Sequence, residues 1–172
     1  MPFDLQPTLQ GSLVALRPLR LDDWDALFAA ASDPLIWEQH PESDRYKPDV
    51  FRRYFESALA SGCAFVVVDR GSGRIIGSTR YHGYDAAASQ VEIGWTFLQR
   101  EFWGGPYNRE MKQLLLAHAF RHVARVVFNV GRTNYRSQRA MEKIGGVRAG
   151  TCVNSLGQES VVFVIESLIA NP

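Results

Sequence analysis

The stretch Val91–Lys112, VEIGWTFLQREFWGGPYNREMK, contains the residues best suited to hold an anion. Its pattern predicts a β-strand from Val91 to Phe97, a glycine-containing turn from Trp103 to Pro106, and then the first turn of a helix. The first backbone N–H groups of a helix have no partner inside the helix, and the helix dipole adds about half a positive charge there. The stretch therefore predicts a binding site for an anion such as a phosphate.

A carboxylate lies inside the apolar strand of this stretch. Burying Glu92 without a partner would be costly, so a glutamate at this position needs a reason. Two interpretations remain open: an acid–base group of a functional site, or a carboxylate that faces solvent or forms a salt bridge. Trp95, in the same strand, is expected to belong to the core.

Seven strands and four helices are predicted along the chain. Apolar runs bounded by turn residues predict strands at 13–17, 64–68, 74–81, 91–97, 125–130, 147–152 and 160–169. Apolar residues at helical spacing predict helices at 21–31, 48–61, 110–123 and 134–144, the last with Asn134 as its N-cap. Segment 32–47 is predicted to be a loop or a broken pair of short helices, and the last two strands a hairpin across Asn154–Gly157.

The order of these elements predicts a mixed α/β fold. We expect a mostly antiparallel central mixed sheet of about seven strands, flanked by about four helices. The 172 residues suit a single domain over 1–172, and a hydrophobic fraction of 46% is ordinary for a globular protein.

Charge and cysteine spacing argue against several kinds of ligand. A net charge of +1 disfavours nucleic acid or an acidic membrane as the main partner. Cys63 and Cys152 have neither metal-ligand nor C-x-x-C spacing, so we expect reduced thiols and no metal site. No apolar segment approaches the roughly 18 residues of a membrane span. The first ten residues, MPFDLQPTLQ, do not resemble a signal peptide, so a cytoplasmic location is expected.

Three well-known site motifs do not fit this sequence. GSGRIIG, at 71–77, has G-x-G-x-x-x-G spacing and precedes a predicted strand, which argues against a dinucleotide site. Neither GxxxxGK[ST] nor GxSxG occurs, which argues against a P-loop enzyme or a serine hydrolase of the nucleophile-elbow type.

Three passages resemble the GNAT superfamily of acyl-CoA-dependent N-acetyltransferases in their sequence, order and spacing. They are LVALRPLRLDDWDAL, then VEIGWTFLQREFWGGPYNREMK followed by LLLAHAF, and finally RVVFNVGRTNYRSQRAMEKIGGVRAG. The resemblance runs from about Leu13 to Ile169, for a domain of about 12–170. Within the superfamily the chain resembles the branch of ribosomal-protein N-terminal (alanine) acetyltransferases. The resemblance implies a GNAT-like fold and acetyl-CoA as co-substrate, with no metal.

The predicted cofactor turn departs from the usual pattern of the family, Q/R-x-x-G-x-G/A. Pro106, which has no N–H, stands where a small donor is expected. The run Asn108-x-Glu110-x-Lys112 instead resembles a subgroup with an N-x-E-x-K variant of the turn, although Glu110 and Lys112 are also compatible with a helix-surface pair or a cap. The resemblance implies a set of cofactor-binding residues: Thr96, Phe97, Leu98, Trp103, Gly104, Gly105, Tyr107, Asn108, Asn134 and Ser137.

The reaction that the resemblance implies is direct attack of an amine on the thioester of acetyl-CoA. Glu92 is the implied base, and a backbone N–H within 96–98 would stabilise the oxyanion. Met141 stands where many members have a tyrosine acid, so Ser137 is the implied acid, with Tyr135 as an alternative hydroxyl. For Asn134, simple N-capping is the alternative to a contact with the pantetheine arm.

The expected acceptor is a protein N-terminus or a small primary amine. Its expected contacts are Trp37, His40, Tyr81 and Tyr84, although the aromatic residues of 37–46 are also suited to fixing a long loop on the core. We expect a monomer or homodimer whose partners are acetyl-CoA and the amine. The alternative function is a non-catalytic acyl-CoA sensor or regulatory module, which the missing tyrosine and the altered glycine turn favour.

Overall fold

The computed structural model describes residues 2–154 and 157–167, and its strands form one eight-stranded sheet. The strands are β1 Leu9–Gln10, β2 Val14–Pro18, β3 Ala64–Asp69, β4 Ile75–Asp85, β5 Gln90–Leu98, β6 Arg125–Gly131, β7 Val147–Val153 and β8 Glu159–Glu166. Their order across the sheet is β1-β2-β3-β4-β5-β6-β8-β7, and every neighbouring pair is antiparallel except β5–β6. The predicted mixed α/β fold is confirmed; β1 is the strand that the sequence pattern did not reveal.

Helices cover both faces of this sheet. They are α1 Trp24–Ala31, α2 Pro48–Ser61, α3 Pro106–Ala119 and α4 Tyr135–Lys143. Alternate residues of β3 enter two separate cores, since Val66 packs with α1 and α2 whereas Val67 packs with α3. Within the described ranges, no helix is both long and apolar enough to cross a membrane.

Most predicted element boundaries agree with the structure, and the differences have local causes. The helix predicted over 110–123 corresponds to α3, which begins at Pro106 and ends at Ala119. It begins earlier than predicted because proline suits the first helical position, where no N–H is needed. Segment 32–47 contains a single 3₁₀ turn, Pro34–Ile36, and otherwise turns. The hairpin turn predicted across Asn154–Gly157 and the predicted end of the last strand at Ile169 fall partly outside the described residues.

Two irregularities in the centre of the sheet create room for a ligand. The parallel pair β5–β6 is hydrogen-bonded only where 90–92 face 125–127, and beyond that point the two strands are no longer paired. In addition, β5 carries a bulge, because the three steps from Gly94 to Phe97 face the two steps from Arg80 to Ser78 on β4. Both irregularities lie in the half of β5 that leads to α3.

Candidate active site

A cavity of about 1070 Å³ opens where β5 and β6 separate. The unpaired ends of these strands form two of its walls, and the N-terminal parts of α3 and α4 close one end. The loop after α1 and the strands β7 and β8 also contribute lining residues. The topology of the sheet therefore places the predicted cofactor turn and the predicted base on one cavity.

Glu92 lies beside this cavity, half-buried on β5. Its Oε2 accepts a hydrogen bond from Nδ2 of Asn129 on β6 at 3.0 Å. Burial raises the pKa of Glu92 to about 6, and the bond from Asn129 partly opposes that rise. A carboxylate with this pKa is mostly ionised at neutral pH and is a stronger base than an exposed one.

The N-terminus of α3 is open to the cavity. Gly105 is its N-cap, no side chain caps the helix, and the first turn contains no acidic residue. Gly104 has a φ of +71°, which glycine adopts easily, and a Cβ added to Gly104 or Gly105 would have no heavy atom within 4 Å. Asn108, in the first turn, also lines the cavity. Free N–H groups, open space and the helix dipole together suit an anion.

Tyr107 is turned away from the cavity, although it belongs to this turn. Its hydroxyl donates to Oδ1 of Asp69 at 3.2 Å, and its ring packs edge-on against Phe102. Only the backbone of Tyr107 is therefore placed to serve an anion at the start of α3. The side chain instead holds α3 against the turn between β3 and β4.

Trp103 closes the same end of the cavity. Its Nε1 donates to the carbonyl of Leu98 at 2.9 Å, which ties the turn to the end of β5. The guanidinium of Arg136, on α4, lies 3.9 Å from the centre of the indole ring, within the range of a cation–π contact. Trp103 therefore links the beginnings of α3 and α4. Other cationic side chains line this part of the cavity: Arg109, Arg139 and Lys143.

The N-terminus of α4 brings Asn134 and Ser137 to the cavity. Oδ1 of Asn134 accepts from the N–H of Ser137 at 3.2 Å, so the predicted N-cap is confirmed. The Ser137 hydroxyl has no hydrogen-bond partner among the protein atoms that the structure describes. Met141 lies one turn further along α4, where it is largely buried and also lines the cavity, and its thioether supplies no hydroxyl there.

The bulge of β5 determines the shape of the cavity wall. Trp95 has a φ of +51°, an uncommon value for a residue other than glycine, and its side chain lines the cavity. Trp95 is partly buried and packs against the core under α1 and α2, so the expectation of a core residue holds in part, and the same residue also lines the cavity. Beyond it, Thr96, Phe97 and Leu98 all contribute to the cavity wall, with the Phe97 and Leu98 side chains largely buried in the core.

Glu110 and Lys112 do not form the helix-surface pair considered from the sequence. The Glu110 carboxylate accepts the backbone N–H groups of Ser12, Leu13 and Val14 at 2.7–2.8 Å, and so fixes the turn before β2. Lys112 is buried, and its Nζ donates to Oγ1 of Thr96 at 2.7 Å. The two residues thus tie α3 to different strands of the sheet.

Three of the four expected acceptor contacts do not line the cavity. Trp37 is buried in the core under α1 and α2, where its Nε1 donates to the carbonyl of Ala31. Tyr81 is buried on the opposite face of the sheet, and its hydroxyl donates to the carbonyl of Leu115 at 2.6 Å. Tyr84 packs edge-on against Phe3 near the N-terminal segment. Trp37 and Tyr81 are therefore buried away from this cavity, whereas Tyr84 is exposed outside its lining.

His40 does line the cavity, and so do Glu42 and Arg45, which were not named as site residues from the sequence. Its Nδ1 accepts the backbone N–H of Glu42, and its Nε2 lies 3.3 Å from Nη1 of Arg45. Burial, followed by the neighbouring charge of Arg45, lowers the pKa of His40 to about 3, so its ring is neutral at physiological pH. Arg45 pairs with the Glu42 carboxylate and lies over the Trp37 ring.

His82 and Asn129 also line the cavity, although neither was named as a site residue from the sequence. His82 lies directly across from Glu92 in the β4–β5 pair, on the face opposite to Tyr81. Asn129 interrupts the apolar strand RVVFNV, and a polar residue in such a strand was a signal of a functional position. In residues 2–154 and 157–167, no group of three or more His, Cys, Asp or Glu side chains is arranged to hold a metal ion.

Comparisons with known proteins agree with this architecture. Residues 14–147 match the family of the acetyltransferase (GNAT) domain, whereas no curated protein matches the chain. A GCN5-related N-acetyltransferase from Brucella melitensis has 22% identity and a TM-score of 0.85, over 96% of this chain and 80% of that one.

Two solved structures with more specific names share the fold. The ribosomal-protein-S5-alanine acetyltransferase from Vibrio fischeri has 15% identity and a TM-score of 0.72, over 97% of this chain and 100% of that one. RimJ from Mycobacterium smegmatis, in complex with CoA-disulfide, has 17% identity and a TM-score of 0.70, over 94% of this chain and 86% of that one. The match over residues 14–147 shows that this chain belongs to the acetyltransferase (GNAT) domain family.

Proposed function

We propose that this protein is an N-acetyltransferase that moves the acetyl group of acetyl-CoA to a primary amine by direct attack in a ternary complex. The observation that carries the proposal is one cavity that joins an open helix N-terminus to the half-buried carboxylate of Glu92. The helix N-terminus suits a pyrophosphate, and the carboxylate suits removal of a proton from an alkylammonium.

Acetyl-CoA fits the residues at the α3 end of the cavity. The pyrophosphate would accept hydrogen bonds from the backbone N–H groups of Gly104, Gly105, Tyr107 and Asn108, where no capping side chain competes. The absence of a donor at Pro106 is compatible with this arrangement, because the N–H groups on both sides of it remain. We assign this turn to the N-x-E-x-K subgroup. The solved complex of M. smegmatis RimJ with CoA-disulfide supports a CoA ligand on this fold.

The pantetheine arm would lie between the unpaired parts of β5 and β6. Backbone groups of Thr96, Phe97 and Leu98 and the side chain of Asn134 would contact it, with Trp103 at the entrance. One N–H in the stretch 96–98 would donate to the thioester oxygen as negative charge develops there. The separation of the strands supports this role, because β6 does not occupy the backbone groups on that edge of β5.

Glu92 would take the proton of the attacking amine, directly or through a water molecule. Its raised pKa, about 6, leaves it mostly ionised at pH 7 and improves its strength as a base. Ser137 would donate a proton to the departing thiolate, since its hydroxyl lines the cavity and has no other partner among the described residues. Asn129 would orient the carboxylate through its 3.0 Å hydrogen bond.

The acceptor that we propose is a protein N-terminus or a small primary amine that enters beside His40. The ribosomal-protein-S5-alanine acetyltransferase of V. fischeri, which shares the fold, supports a protein N-terminus. His40 is neutral and the Glu42 carboxylate is paired with Arg45, so among the described residues that line the cavity Glu92 is the carboxylate without a cationic partner. That charge favours the approach of a cationic acceptor.

A second candidate function is a non-catalytic acyl-CoA-binding module. The observation that favours it is Met141, which occupies the position of the tyrosine acid in many relatives and is buried in the core. In that case the cavity would hold acyl-CoA tightly, and the Glu92–Asn129 pair would be structural. The two candidates predict the same binding and different turnover.

Calorimetric binding and thiol release together test the proposal. Acetyl-CoA is expected to bind and to raise the melting temperature, and CoA should be released when a suitable amine from a panel of amino-terminal peptides and small amines is added. Glu92→Gln should bind acetyl-CoA as the wild type does and release CoA much more slowly at neutral pH. Tight binding without transfer to any amine would favour the sensor, and the absence of binding would refute both candidates.

A further inference from the structure

Lys112 is a buried lysine whose polar contact is a hydroxyl. Only 2% of its surface is exposed, and its Nζ donates to Oγ1 of Thr96 at 2.7 Å. On the other side, Nζ lies 5.4 Å from the centre of the Phe128 ring. Within residues 2–154 and 157–167, no carboxylate forms an ion pair with it.

A lysine at this place is costly for the fold. Its neighbours on the buried side of α3, Met111 and Leu115, are completely buried apolar residues. Desolvation lowers the pKa of Lys112 to about 7, which expresses the free energy of keeping a charged amine there. A methionine would fill the same space without that cost. The amine therefore has a role that an apolar side chain cannot fill.

The Thr96 hydroxyl that Lys112 contacts belongs to the bulge of β5. Thr96 also shares a 2.8 Å hydrogen bond with the hydroxyl of Thr79 on β4. The preceding residue, Trp95, has the positive φ of the bulge, and its carbonyl accepts a hydrogen bond from the hydroxyl of Tyr54 at 2.9 Å. An uncommon backbone conformation persists only where surrounding contacts hold it. Lys112 supplies the contact from the α3 side.

Lys112 also lies across the gap between the separated strands. Thr96 is on β5 and Phe128 is on β6, beyond the last hydrogen-bonded pair of these strands, Glu92 with Val127. No backbone ladder fixes the spacing of β5 and β6 in this part of the sheet. The amine contacts one strand, and the ring of the other lies against it, so the side chain spans the gap at the floor of the cavity.

We propose that Lys112 is a positioning residue that holds the bulge at Trp95–Thr96 and the spacing of β5 and β6 in the shape that the acyl group requires. This inference rests on the proposed function, because the N–H groups of 96–98 are the proposed oxyanion donors. Lys112 acts through Thr96 and does not touch the reacting atoms. It also connects the acyl end of the cavity to α3, whose N-terminus is the proposed pyrophosphate site.

Four single variants and the double variant Lys112→Met/Thr96→Val test this role. Lys112→Met preserves the length of the side chain and removes the amine. Thr96→Val removes the hydroxyl that accepts from it, whereas Thr96→Ser retains a hydroxyl. Lys47→Met is the matched control, because Lys47 has an exposed side chain that pairs with Asp44 at the surface. Hydrogen exchange of the ligand-free proteins, melting temperature and steady-state thiol release are measured for each.

The expected result is a specific loss of local order and of turnover. In Lys112→Met and Thr96→Val, the amides of 95–98 should exchange faster and kcat should fall by about tenfold or more, because small displacements of catalytic groups are costly. KM for acetyl-CoA should change by less than about threefold, and the double variant should be no slower than the slower single variant. Thr96→Ser, which keeps the hydroxyl, should recover most of the kcat that Thr96→Val loses, and Lys47→Met should stay within about twofold of the wild type.

Three results would overturn the proposal. The first is wild-type kcat in Lys112→Met, and the second is additive losses in the double variant. The third is a loss in Lys112→Met but not in Thr96→Val, which would place Lys112 on the substrate itself. If the wild type binds no acetyl-CoA, the proposed function is refuted, and this result does not by itself decide the role of Lys112. Hydrogen exchange of the ligand-free proteins then decides alone, and unchanged exchange at 95–98 rejects the role of Lys112.

Discussion

Replacing Asn129 with leucine is expected to raise the pKa of Glu92 and to slow the reaction mainly at acidic pH. Nδ2 of Asn129 donates to the Glu92 carboxylate at 3.0 Å, and this bond favours the ionised form. Burial already raises the pKa of Glu92 to about 6, against the effect of Asn129. Leucine has a similar size and no donor, so Asn129→Leu removes the opposing contact and leaves the burial.

The size of the shift follows from the strength of that hydrogen bond. A hydrogen bond to a charged group contributes about 1.5–3 kcal/mol, and because Asn129 is exposed we take about 1.4 kcal/mol, or about one pKa unit. The pKa of Glu92 would then move from about 6 to about 7. At pH 6 the ionised fraction falls from about one half to about one tenth, a loss of about fivefold. At pH 7 the loss is about twofold, and at pH 9 it vanishes.

The assay is the ratio of kcat/KM for Asn129→Leu and wild type, measured by thiol release from about pH 5 to pH 9. Taking the ratio cancels the titration of the acceptor amine, which is common to both proteins. The ratio should rise with pH, because protonation of Glu92 inactivates both proteins and the variant, with its higher pKa, is protonated up to a higher pH. Glu92→Gln is the control and should lose this acidic limb. A ratio that is independent of pH would refute the assignment of Glu92 as a base oriented by Asn129.

Three further predictions concern the framework of the site. Glu110→Gln should lower the free energy of unfolding by about 1–2 kcal/mol, because an amide oxygen replaces a carboxylate that accepts three N–H groups. Since the pKa of Glu110 is lowered in the fold, this difference, measured in urea, should shrink as the pH falls through that pKa. Tyr81→Phe should lower stability by about 1 kcal/mol and leave KM for the acceptor unchanged; a raised KM would return Tyr81 to the acceptor site. Gly105→Asp should weaken acetyl-CoA binding by about tenfold or more in calorimetry, because a carboxylate would compete for the N-terminus of α3, and unchanged affinity would move the pyrophosphate elsewhere.

The fold could be predicted because its elements have clear local signals. The bounds of α2 follow from Pro48 at its first position and from Gly62, whose φ of +61° ends the helix. Asn134 shows the start of α4 in the same way. By contrast, β1 has only two residues and depends on pairing with β2, so no local pattern reveals it. The bulge at Trp95 has no glycine to mark it and is imposed by tertiary contacts.

Several residues of the candidate site were visible in short local patterns, whereas contacts that depend on how strands and helices meet were not. Glu92 and the glycine turn are visible in Val91–Lys112, and both reach the cavity. Tyr81 was expected at the acceptor site, but neighbouring residues of a strand point to opposite faces, and His82 is the one that lies across from Glu92. The role of Lys112 depends on where α3 crosses the separated strands, which spacing along the sequence does not define.

A crystal structure of the protein with acetyl-CoA is the most direct test of the central claim, that the N-terminus of α3 and the gap between β5 and β6 hold one cofactor. We predict pyrophosphate oxygens about 3 Å from backbone nitrogens of the turn 104–108, and the thioester between β5 and β6 on the side of Glu92. A cofactor bound outside this gap, or a pyrophosphate away from the N-terminus of α3, would contradict the account.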